Sequence, residues 1–147
     1  MRSFSLICLI VLSGVLASAT ICVPEFLGSN AFLLNFIENE YINVLVVIVT
    51  VSFVSVTQIH LEYSRVERRF GMRAFREARQ EVNFGAILLV FLLMVSFPLV
   101  IFKSSIPENI VIQSALHSAA IVILVSAIFV MYDFVRTIYV LAAEEPL

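Results

Sequence analysis

Four apolar runs separated by short polar connections make up this chain of 147 residues. They cover residues 4–23, 42–61, 84–102 and 109–134. Each comes close to the roughly 20 predominantly apolar residues that a helix needs to cross a bilayer. Of the connections, 24–41 is acidic, 62–83 is rich in arginine, 103–108 is a short turn, and 135–147 forms a tail. The pattern predicts an all-α integral membrane protein. Its four-transmembrane-helix bundle forms one membrane domain, in which a long second helix extends into a basic cytoplasmic helical hairpin loop.

The second run carries the sharpest pattern. Between Ser29 and Phe70 there is no glycine and no proline, so one uninterrupted helix of roughly 60 Å is predicted there. Asn43, Thr50, Thr57 and Ser64 recur every seven residues, with Val47, Val54 and Leu61 at the intermediate positions. A heptad repeat keeps such residues on one narrow face, here polar and valine-rich on a helix that is otherwise lipid-like. β-Branched residues lower helix propensity in water, but in lipid the backbone must satisfy its own hydrogen bonds, so helix is still predicted.

The other runs are marked by their small and breaking residues. Arg2 and Ala17-Ser18-Ala19 around the first run also fit a cleavable secretory signal; a retained span is expected, with Gly14 and Ser18 as a close-packing face. Pro24 and Gly28 punctuate the acidic connection, Ser29 or Asn30 can cap the helix that follows, and Phe26, Phe32, Phe36 and Tyr41 suit a membrane interface. Gly71 is a candidate elbow in the basic loop, where Arg73 and Glu77 stand at i,i+4 spacing. In the third run Gly85 and Ala86 permit close approach, and Pro98 predicts a kink or an end. Ser105 and Glu108 match a capping box, with Pro107 in the first turn of the fourth helix. Ser114, Ala115, Ser118, Ala119 and Ala120 form a small-residue surface for helix packing.

Composition agrees with the pattern. The chain is 61% hydrophobic and 14% charged, where soluble domains average about 25% charged. The net charge of −2 argues against a nucleic-acid partner. With four spans, Arg2, Arg65, Arg68, Arg69, Arg73, Arg76, Arg79 and Arg136 fall on one side and Lys103 alone on the other. The positive-inside rule then places both termini in the cytoplasm (N-in/C-in). Cys8 and Cys22 would stand ~21 Å apart on one helix, too far for a disulfide.

Little points to catalysis. No Ser/His/Asp, Cys/His, paired-carboxylate or phosphate-loop pattern occurs, and no enzyme activity, metal or cofactor is expected. His60 and His117 could suggest a bis-histidine haem, but their predicted depths differ by ~15 Å, whereas two axial ligands must meet at one iron. Gln113 and His117 share a helix face and suit hydrogen bonds between helices. Asp133 and Arg136 suit a local ion pair.

The candidate site is therefore the polar heptad. Asn43, Val47, Thr50, Val54, Thr57 and Ser64 would line a pore, or the seam of a homo-oligomer, with Glu40 at the outer mouth. In the plainer alternative, the hydroxyls bond back to their own helix and pack in an ordinary bundle. Arg65, Arg68, Arg69, Arg73, Arg76 and Arg79 would dock anionic lipid or a cytosolic partner. In layout alone the chain resembles small multi-span bacterial membrane proteins, among them the membrane effectors of some anti-phage systems. That resemblance implies a bacterial inner membrane and a cytosolic sensor as partner. Two functions follow as expectations: a homo-oligomeric pore or membrane-perturbing protein, or a non-conducting anchor that recruits a partner through its arginine-rich loop.

Overall fold

The structure, a computed structural model, describes residues 2–70, 75–105 and 109–143. These form six helices: α1 (Arg2–Cys22), α2 (Pro24–Gly28), α3 (Ala31–Asn39), α4 (Tyr41–Phe70), α5 (Arg76–Ser105) and α6 (Ile110–Ala143). No strand occurs among the described residues. Gly71, Arg73, Pro107 and Glu108, and the side chains of Arg2, Arg69 and Ser105, lie outside what is described.

Three helices are long and apolar enough to cross a membrane, over Tyr41–Arg68, Arg76–Lys103 and Ile110–Val140, which marks a transmembrane protein. The described apolar part of α1, Ile7–Cys22, is shorter. Most large apolar side chains on the outside of the bundle are exposed, as expected where lipid replaces water.

The predicted uninterrupted helix from Ser29 to Phe70 is in fact two helices, α3 and α4, meeting at Glu40. Asn30 starts α3 by accepting from the backbone N–H groups of Phe32 and Leu33. At the junction, asparagine amides compete for backbone carbonyls. Asn39 Nδ2 donates to Asn35 O at 3.2 Å, and Asn43 Nδ2 donates to Asn39 O at 3.3 Å. Buried Ile37 and Tyr41, on either side of the junction, anchor it to the core. The acidic connection is thus a pair of short helices, with Pro24 at the start of α2. Past Pro98, α5 continues to Ser105.

Packing groups the ends of the helices. At one end Thr20 meets Ser118 at 2.8 Å, and Gly28 lies against the Ile110 backbone. There Lys103 Nζ also donates to Leu34 O at 3.2 Å and to Glu38 Oε1 at 3.1 Å. At the other end Tyr63 stacks on Phe75 with ring centres 4.8 Å apart, and Gly85 lies against the Phe134 ring. The first is an acidic end, with Glu25, Glu38 and Glu40. The second is an arginine end, with Arg65, Arg68, Arg76, Arg79 and Arg136. Between them the core joins Leu45, Ile48, Val56 and Ile59 of α4 to Leu89 of α5 and to Ala120, Ile123 and Ala127 of α6.

Candidate functional site

Helix α4 has two polar edges, and they face in opposite directions. Leu45, Ser52 and Ile59 are fully buried and lie about 180° around the helix from Asn43, Thr50 and Thr57. Asn43, Thr50 and Thr57 are exposed, together with Val47 and Val54. The bundle core therefore makes no use of the heptad stripe. Its hydroxyls are satisfied on their own helix: Thr50 Oγ1 donates to Val46 O at 2.8 Å and Thr57 Oγ1 to Phe53 O at 3.0 Å. Once the hydroxyl hydrogen is committed, each oxygen presents only lone pairs outward.

Ser64 belongs to a different surface. Its hydroxyl donates to His60 O at 2.8 Å and accepts from Arg79 Nη2 at 3.2 Å, which places it on the α4–α5 seam. Glu40 is exposed at the C-cap of α3, near the acidic end of the stripe.

The arginines divide into two groups. Arg79 is held between α4 and α5, its Nη2 2.8 Å from Glu67 Oε2, and its Nε is buried with no partner among the described residues. Arg65 pairs with Glu62 on its own helix. Arg68 is exposed and donates from Nε to Ser64 O at 3.2 Å; Arg76 is also exposed. One layer deeper, His60 Nε2 and Asn83 Oδ1 lie 2.9 Å apart. His60 is thus at the arginine end, while His117 packs on α2 at the acidic end.

Of the small residues on α6, Ser114 and Ser118 are buried, Ala119 is half-buried and Ala115 is exposed. Gly14 and Ser18 of α1 are exposed, and a Cβ at Gly14 would meet nothing within 4 Å. Cys8 and Cys22 are free.

Sequence reasoning missed the buried hydroxyls of Ser52 and Ser96 and the burial of Tyr41. Tyr41 and Ser96 hydroxyls meet at 3.3 Å across α4 and α5; Ser52 donates to Ile48 O at 2.7 Å. Ser114 Oγ and His117 Nε2, on residues expected at helix interfaces, are buried without partners among the described residues. The signal available for Ser52 was its spacing: it shares the heptad of Leu45 and Ile59. No group of three or more metal-ligating side chains occurs among the described residues. No family model matches the chain, and no curated protein or solved structure matches it.

Proposed function

We propose that the chain is a small homo-oligomeric multi-pass protein of a bacterial inner membrane, in which copies meet through the outward stripe of α4 and enclose a pore. The observation that carries this reading is the position of Asn43, Val47, Thr50, Val54 and Thr57, exposed and directly opposite the buried face of α4. In such an assembly the Thr50 and Thr57 rings present oxygen lone pairs to the lumen and favour cations. Val47 and Val54 form apolar constrictions that gate by dewetting, and Glu40 adds acidic charge at the outer mouth.

In this reading α1 is a fourth crossing, and both termini are cytoplasmic. Two observations support that. Thr20, near the end of α1, meets Ser118, near the start of α6, so α1 ends at the acidic end of the bundle. The described arginines beyond α1 gather at one end, and at the other Lys103 has a side chain only 5% exposed and paired with Glu38.

The test is ion flux in reconstituted bilayers. Thr50→Leu and Thr57→Leu should abolish conductance while leaving the oligomer intact. In a background without Cys8 and Cys22, Thr50→Cys should cross-link between copies. A silent wild type, unchanged flux in the leucine variants, or a single subunit in mild detergent would sink the pore.

A second reading rests on the exposure of Arg68 and Arg76. In it the chain is a non-conducting anchor whose arginine-rich loop recruits a cytosolic partner. It predicts that a partner copurifies and is lost when both arginines become glutamine.

A further inference from the structure

The seam between α4 and α5 changes character along its length. At the arginine end it is cationic: Arg68 and Arg79 reach Ser64 from the two helices, through Nε to its carbonyl and Nη2 to its hydroxyl, each at 3.2 Å. Exposed Arg76 lies two turns before Asn83 on the same face of α5. The next layer is the polar His60–Asn83 pair, 2.9 Å apart. Beyond it the seam opens into an apolar groove of about 500 Å³, lined by Phe53 of α4 and by Ala86, Ile87, Val90, Phe91 and Met94 of α5. Arg76, Asn83, Ile87 and Met94 fall on one side of α5 at helical spacing, so head and groove are continuous. Glu67 pairs with Arg79 and also accepts from the Phe75 backbone N–H.

We propose that this seam binds one anionic phospholipid, its phosphate held between Arg68 and Arg76 beside Ser64 and one acyl chain lying in the groove. Length agrees with charge. Arg76 and Phe91 are fifteen residues apart on one helix, or ~22 Å. The distance from headgroups to midplane in a bilayer of 40–45 Å total thickness is about 20–22 Å. A phosphate at Arg76 thus carries its chain to the depth of Phe91, inside the groove. The guanidinium fork suits a phosphodiester, and cationic residues at this depth attract anionic lipid of the same leaflet. The inference rests on α4 and α5 lying in a bilayer and is independent of whether copies enclose a pore.

Native mass spectrometry of the purified chain in mild detergent tests it, with phosphatidylglycerol and phosphatidylcholine added in equal amounts. Wild type should retain one phosphatidylglycerol in preference to phosphatidylcholine by roughly tenfold. Arg68→Gln with Arg76→Gln, both at exposed positions, should remove that preference. Ile87→Trp, which fills the groove from an exposed position, should lower retention of phosphatidylglycerol with the arginines intact. Inorganic phosphate should not displace the lipid, because it has no chain to place in the groove. Equal retention of the two lipids by wild type would overturn the inference, and that measurement does not depend on any variant folding. So would displacement by inorganic phosphate, which would mark a soluble anion site. If the arginine variants lose binding while Ile87→Trp keeps it, the headgroup is held without a chain in the groove, and the inference also fails. A chain that stays out of the membrane fraction would overturn the membrane reading itself, a result distinct from equal lipid retention.

Discussion

His117 and Leu27 are 90 residues apart in sequence, yet the imidazole Nδ1 lies 2.6 Å from the Leu27 carbonyl oxygen. A carbonyl only accepts, so Nδ1 carries the proton. A helix of five residues leaves its last carbonyls without intrahelical partners, and His117 satisfies one of them from α6. This contact holds α2 against the start of α6, and Lys103 holds α3 against the end of α5.

Removing the imidazole should loosen that junction. His117→Ala leaves the Leu27 carbonyl buried without its donor and is expected to cost about 1–3 kcal/mol in detergent unfolding. His117→Asn keeps an N–H donor on a shorter side chain and should recover part of the loss. Equal stability of wild type and the alanine variant would show that the bond contributes nothing.

The glycines of the first two helices should respond in opposite ways. A Cβ at Gly28 would stand 2.6 Å from Ile110 O, a backbone atom that cannot swing aside, so Gly28→Ala is expected to cost about 1–3 kcal/mol. At Gly14 the same atom meets nothing within 4 Å. Gly14→Ala should therefore be neutral or stabilise by up to about 1 kcal/mol. Thermal unfolding of both variants side by side checks the contrast.

Lys103 and Glu38 should also differ, although they form one pair at 3.1 Å. The Glu38 side chain is 61% exposed, so solvent screens its contribution, and Glu38→Gln should change stability by less than about 1 kcal/mol. Lys103→Ala removes a buried stem and the donor to Leu34 O, and should cost more. Unfolding at low and high salt separates the two effects, because only the ionic part of the change is screened.

The three long apolar runs and the close approach at Gly85 were legible in the chain. Hydrophobic length and charge placement act locally, and glycine marks where helices can touch. The break at Glu40 was less legible. Asn35, Asn39 and Asn43 stand four residues apart, a spacing as compatible with a continuous helix face as with amides that compete for its carbonyls. The arginines were legible as a group but not individually. Only tertiary contact divides Arg79, bound to Glu67 and Ser64, from exposed Arg68 and Arg76.

By itself the sequence determined that apolar helices long enough for a bilayer would form, because in lipid the backbone can satisfy its hydrogen bonds only within such segments. It also determined that α4 carries a polar heptad, since a spacing of seven keeps residues on one face whatever surrounds them. It could not determine which face of α4 the bundle takes. Ser52 with Ser55 and Thr50 with Thr57 are chemically alike, and each hydroxyl can bond its own helix. Only the packing of Leu45, Ile48 and Ile59 against α5 and α6 turned the serines inward and left the threonine edge outside.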